Sequence, residues 1–233
     1  MEIKFINTNE NVDDNYAPKP AQKDVPFWYK KTPAYMGGEK MPTLDGKTTA
    51  TVKKCMPVFD AMTSGYYIYS FCDVSVTQSL DETGEQVPYY SWPTDVPIGF
   101  HPIAQAEFHP AHNGYMYPKW HNPWGIKTPP GYSCLFIQPL HRESVFTIMP
   151  GVVDTDTYTN PVNFPFVLND PKFQGIIPAG TPIAQVIPFK RDSWRMAFGN
   201  EEELKQSRKQ LGSLRNVFFE GYKLKFRQPK EYR

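Results

Sequence analysis

Two carboxylates, Asp154 and Asp156, stand two residues apart in the run GVVDTDTYTNPVNF. If the run is a strand, this spacing turns both to one face. They could then hold a divalent cation, or one could activate a water as a general base. The competing reading is that Asp154 and Thr155 cap a turn behind a Gly151–Val153 strand. All five histidines fall between positions 101 and 141, and His109 and His112 form an HxxH pair. Imidazole is the commonest transition-metal ligand. Pro110 inside the pair prevents a regular helix from turning both rings to one face, and neither HExxH nor a nearby cysteine pair accompanies it. Hydrogen-bonded histidines and no resident metal are therefore expected; His109 and His112 are the ligand candidates if a metal is held. No nucleophile system stands out. GxSxG is missing, Ser133 and Cys134 sit inside a candidate strand, and Gly37–Gly38 lacks phosphate-loop spacing. The stretch KWHNPWGIKTPPGYS is the most specific in composition. Trp120 and Trp124 are large rigid groups with one donor each, and Asn122 and Lys127 supply polar ends. Such a wall suits a ligand pocket or a subunit interface.

The elements that must position these residues are set by proline. The chain has 233 residues and 24 prolines, about twice the usual frequency of about 5%. From Tyr89 to Phe189 they leave little room for helix. Between them lie short aromatic or β-branched runs, read as strands over Gly65–Asp73, Tyr132–Gln138, Phe146–Ile148, Gly151–Val153, Asn163–Leu168 and Ile183–Phe189. The expected class is mainly β: a β-clip or jelly-roll-like antiparallel sandwich with one C-terminal helix and extended arms. Asn200 can cap that helix, Glu201, Glu202 and Glu203 load its first turn, and Leu204, Leu211, Leu214 and Phe218 form an apolar stripe. Beyond it, Tyr222, Leu224 and Phe226 alternate with Lys223, Lys225 and Arg227, a strand-edge pattern. Near the N-terminus, Ile3, Phe5 and Ile6 could form a short strand. Pro26–Tyr35 is too aromatic to be solvated. The expected partition is an N-terminal arm over 1–50 packed on the body, a β domain over 51–195, and a C-terminal helix with a basic tail over 196–233.

Composition narrows the function class. The formal net charge is +1, from 25 basic and 24 acidic residues, so nothing favours nucleic acid or an anionic membrane. Segment 195–233 carries ten Lys/Arg against five Asp/Glu, and is read as an arm on the body or on a neighbouring subunit. No apolar run approaches the ~18 residues of a membrane span, and MEIKFINTNENVDD lacks the signal-peptide pattern. Cys55, Cys72 and Cys134 are odd in number and widely spaced, against a disulfide framework. A soluble, cytoplasmic homo-oligomer is expected.

The blocks KKCMPVFDAMTSGYYI, HNPWGIKTPPGYSCLF, GVVDTDTYTNPVNFPF and GTPIAQVIPFKRDSW, spread over about 50–195, resemble a family of uncharacterised proteins from tailed bacteriophages and bacteria. That likeness implies the cytoplasm of an infected bacterium, or the virion. The last two blocks are also similar to the dUTPase and dCTP-deaminase superfamily of β-clip proteins. There Gly151, Asp154 and Tyr158 would match a Gly-x-Ile-Asp-x-x-Tyr motif, and Gly180, Ile183, Ala184 and Gln185 a later strand. The resemblance implies an aspartate acting on the attacking water, a tyrosine packed on a nucleoside, and sites between subunits of a trimer. The sequence departs from it. Tyr158 lies one residue too far from Asp154, Asn160 replaces a glycine, and neither an Arg-Ser-Ser motif nor a glycine-rich phosphate arm is present.

Since phosphoryl chemistry requires preorganised donors on the phosphates, the expectation is a phage-type protein that binds a nucleotide or similar small molecule without a complete catalytic apparatus, sequestering a host signal. Its binding set would be Trp120, Asn122, Trp124, Lys127, Tyr158, Asn163 and Gln185. The alternatives are a virion structural or assembly protein, and a dUTPase-like hydrolase or deaminase using Asp154 or Asp156.

Overall fold

Proline-bounded runs of β-branched and aromatic residues become strands because a pleated, half-buried surface suits them and helix does not. The computed structural model describes residues 1–41, 49–93, 95–111, 114–215 and 220–233. In chain order the strands begin with β1 (Lys4–Asn7), β2 (Lys19–Pro20), β3 (Tyr66–Tyr69), β4 (Val74–Leu80) and β5 (Gln86–Ser91). They continue with β6 (Ile98–His101), β7 (Tyr117–Trp120), β8 (Trp124–Lys127), β9 (Tyr132–Ile137) and β10 (Phe146–Ile148). The last are β11 (Gly151–Val153), β12 (Phe164–Leu168), β13 (Gly175–Ile177) and β14 (Pro182–Lys190). The α-helices are α1 (Phe27–Lys31), α2 (Met56–Thr63), α3 (Glu201–Arg215) and α4 (Gly221–Lys225). Every strand pairing among the described residues is antiparallel, so the fold is mainly antiparallel β, as expected.

Five strands form the largest sheet, in the order β11-β9-β14-β3-β2. The others are β10-β12-β7-β6, β13-β4-β5 and the pair β1-β8. One apolar core joins them. Phe164, Phe166 and Leu168 alternate inward along β12. Trp120 stacks on Phe166 with centroids 5.1 Å apart, and Phe146 lies 5.3 Å from both rings. Such contacts contribute about 0.5–1.5 kcal/mol each beyond the area they bury. Strand β14 is buried continuously over Ile183–Val186 because β9 and β3 flank it and α2 lies across it, so its apolar run does not alternate.

Several elements differ from the sequence expectation. Helix α2 lies in the first of the four blocks; Pro57 fits there because the first turn has no hydrogen-bond partner for its nitrogen. The Pro26–Tyr35 run forms α1, with Tyr29 buried and Trp28 Nε1 donating to the His141 carbonyl at 2.7 Å. The alternating tail is not a strand. Leu224 and Phe226 donate their N–H groups to the carbonyls of Glu220 and Tyr222, closing helix α4. Arg227 and Lys230 then bond Asp60 of α2, at 2.7 and 3.0 Å. Alternation alone does not make a strand; it also needs a partner strand to pair with.

The turn from α2 into β3 needs glycine. Gly65 has φ +71°, and a Cβ there would stand 1.9 Å from the Val186 carbonyl oxygen. Gly84 has φ +83° but open space around it. Urea unfolding should show Gly84→Ala costing roughly 1 kcal/mol, the backbone penalty alone. Gly65→Ala should cost at least ~2 kcal/mol more, since a strand backbone must also move. Equal losses would contradict the close approach.

Candidate functional site

Asp154 and Asp156 lie just past the end of β11, in a turn closed by the N–H groups of Thr157 and Tyr158 donating to the Asp154 carbonyl. Thr155 between them is buried and meets Thr128 Oγ1 at 2.8 Å. The turn is thereby pinned to the Thr128–Gly131 turn that precedes β9. Gly131, at φ +82°, donates its N–H to Asp156 Oδ2 at 2.8 Å.

A third segment completes the cluster. Arg191, the first residue after β14, donates its N–H to the Gly131 carbonyl at 2.9 Å. Its guanidinium reaches Asp156 Oδ1 at 2.8 Å and binds Asp156 Oδ2 as well. The same group reaches Asp154 Oδ1 at 3.3 Å, Ser133 Oγ at 3.0 Å and the Tyr132 carbonyl at 3.0 Å. Ser133 Oγ donates to Asp154 Oδ1 at 2.6 Å. The Asp156 side chain is only 6% exposed and the Asp154 side chain 62%. Planar two-point binding of this kind suits a guanidinium and not an ammonium. Hydrogen bonding from Arg191, reinforced by the Gly131 N–H, brings the Asp156 pKa down to about 2. A carboxylate so held is a permanent anion and a poor proton acceptor. The guanidinium lies between the two aspartates and bonds both. The cluster is thus an ionic clamp joining the ends of β11 and β14 and the start of β9.

The remaining nominated residues are dispersed. Trp120 and Trp124 are buried in the core. Asn122 is buried, with its amide bonded to the Trp124 N–H and carbonyl at 3.0 and 2.8 Å. Asn163, on the surface, accepts from the Asn122 N–H at 3.3 Å. Lys127 is exposed at the end of β8, and Tyr158 is half exposed. Gln185 is fully buried. Its oxygen accepts from the Leu140 N–H at 3.0 Å, and its nitrogen donates to the carbonyls of Ala61 and Ser64 at 3.0 and 2.7 Å. It therefore fastens α2 to the central strand. His109 is exposed and accepts from the Ala111 N–H at 3.1 Å, while His112 lies outside the described residues. No group of three His, Cys, Asp or Glu side chains among the described residues could hold a metal ion. Burial pushes the Cys134 thiol up to about 11, so it is not a nucleophile near neutral pH.

Sequence reading missed Arg191, the residue that gives the two aspartates their character. The available signal was a lone arginine directly after the β14 run, but which strand ends meet there depends on sheet order.

The clamp has a signed pH dependence. The Asp156 pKa falls on folding from a usual carboxylate value of about 3.9, so its contribution is complete above that value. It fades as pH falls towards about 2. Thermal unfolding of Arg191→Gln should give a lower midpoint than the wild type at neutral pH, and the gap should narrow as pH drops through this window. A gap that stays constant or widens on acidification would contradict the clamp.

No protein-family model matches the chain, and no curated protein matches it. Solved structures similar to it include a mutant dUTPase from phage phi11 of S. aureus, at 13% identity and a TM-score of 0.37, covering 86% of this chain and 98% of that one. A second is a mutant dUTPase of Staphylococcus bacteriophage 80alpha with dUpNHpp, at 13% identity and a TM-score of 0.30, covering 59% and 76%. Both likenesses are remote, and neither assigns a role to any residue of this chain.

Proposed function

We propose that the protein is a subunit of a homo-oligomer with a structural or assembly role, held together by an arm that starts at Arg191. The observation that carries this reading is the state of Trp194, Met196 and Phe198, which are 92%, 84% and 92% exposed. They occupy alternate positions, the spacing that puts side chains on one face of an extended segment. Single exposed apolar residues are ordinary, but three bulky ones in a row of five mark a surface awaiting a partner.

The arm leads directly into α3. Asn200 and Glu203 form a reciprocal cap: Asn200 Oδ1 accepts from the Glu203 N–H at 3.0 Å, and Glu203 Oε2 accepts from the Asn200 N–H at 2.7 Å. Leu204 and Leu211 share a face seven residues apart and are both about half exposed. A helix of this length is marginal alone in water and draws its stability from a packed face. Its acidic first turn, Glu201–Glu203, and the Lys205, Arg208 and Lys209 that follow complement each other when two copies lie antiparallel, as a two-fold interface requires. That self-complementarity favours a second copy of this chain as the partner.

The nucleotide-sequestering reading draws less support from the geometry, because the residues nominated for it are dispersed. The hydrolytic reading draws less again, because Arg191 neutralises the carboxylates. Sedimentation velocity tests the proposal. The wild type should sediment as an oligomer of the 26.8 kDa chain. A Trp194→Ser/Met196→Ser/Phe198→Ser variant should sediment as a monomer with an unchanged circular dichroism spectrum. A monomeric wild type at micromolar concentration, or a variant of unchanged mass, would overturn it.

A further inference from the structure

Away from the clamp, a cavity of about 200 Å³ opens between β5, β6, β7 and β12. Its walls are apolar, with Val87, Pro88, Phe100, Val167 and Leu168 among them. Its polar groups are Asp81 and three tyrosines; Tyr115 and Tyr117 donate their hydroxyls to the Gln86 and Ala106 carbonyls at 3.3 and 3.1 Å, which leaves Tyr90. It is 92% buried, its ring packs edge-on to Phe166 at 6.1 Å and against Phe100 at 5.8 Å, and it lines the cavity. No hydrogen bond of its hydroxyl is found among the described residues, and the oxygen is not sealed from solvent. Burial pushes its pKa up, which keeps it a neutral donor. A hydroxyl on a cavity wall that solvent can reach is open to a water or to a ligand atom.

Size and charge narrow the ligand. A dry apolar cavity of about 150 Å³ accepts benzene, whereas drug-sized ligands need roughly 300 Å³ or more. One aromatic ring therefore fits and a whole nucleotide does not. Among the described residues the lining contains no Lys, Arg or His, and it includes Asp81. Asp81 Oδ1 accepts from the Thr83 and Glu85 N–H groups and the Thr83 hydroxyl, which holds the carboxyl below the usual range and hence ionised. That carboxylate repels anions and favours a neutral or positively charged group.

We propose that this cavity is a binding site for a small single-ring aromatic compound, neutral or cationic, whose polar substituent pairs with the Tyr90 hydroxyl or faces Asp81. The ring replaces the missing wall contacts, and a substituent oxygen takes up the unused phenolic donor.

Ligand-detected NMR on the full chain tests this with three matched probes: benzyl alcohol, benzylamine and benzoate. Benzyl alcohol and benzylamine should bind in the millimolar range or better, and benzoate should bind at least tenfold more weakly. Tyr90→Phe keeps the ring and its packing, and should weaken benzyl alcohol about fivefold, the size of one ordinary hydrogen bond. Met116→Trp, placed at a half-exposed position on the cavity lining, should block all binding without touching the core. The proposal is overturned if no probe binds, if benzoate binds as well as benzyl alcohol, or if both variants bind like the wild type.

Discussion

The guanidinium of Arg191 ties three segments together where the central strand ends: the turn after β11, the start of β9, and the root of the chain that leaves the body. Two carboxylates, one hydroxyl and one carbonyl converge on it. Removing the arginine would leave Asp156, a nearly buried anion, with only the Gly131 N–H. Breaking the pair from one side leaves the enclosed carboxylate without its counter-charge, although the exposed guanidinium side lets water take up part of that loss. The position is therefore stringent, although the clamp adds little net stability beyond an equivalent apolar contact.

A second ionic anchor receives the chain on its return. Glu220 meets Lys54 at 3.1 Å, and Arg227 and Lys230 close on Asp60 of α2. Tyr232 then packs edge-on to Tyr66, 5.8 Å away. Helix α2 is itself fixed to β14 by Gln185. The excursion that begins beyond Arg191 is thus fastened at both ends to the same sheet, while Trp194, Met196, Phe198, Leu204 and Leu211 on it are exposed. An apolar stretch anchored on both sides suits an interface segment, because part of its ordering cost is met before a partner arrives.

Strands were legible where their signals are local. The runs at β9, β10, β11, β12 and β14 are bounded by proline and glycine turns, and their limits were placed within a residue or so. The α3 cap was legible for the same reason, since Asn200 and Glu203 are three residues apart. The clamp was half legible. Asp154 and Asp156 stood out, but the arginine between them comes from a strand whose neighbours are fixed only by the order β11-β9-β14. Trp120 and Trp124 look like a pocket wall in sequence because their strands, β7 and β8, are short, with Pro118 inside the first and Pro123 directly before the second. Once those strands pair, both indoles turn into the core. Gln185 shows the same limit: the backbone groups it satisfies lie more than forty residues away in sequence.

Hydrogen–deuterium exchange over residues 192–211, followed across a range of protein concentrations, tests the central claim most directly. The arm makes almost no backbone hydrogen bonds of its own between Ser193 and Gly199. Protection there that rises with concentration reports a second copy. These amides, and those of α3, should show protection that rises with concentration and saturates. Exchange at the unprotected rate at every concentration would contradict the claim.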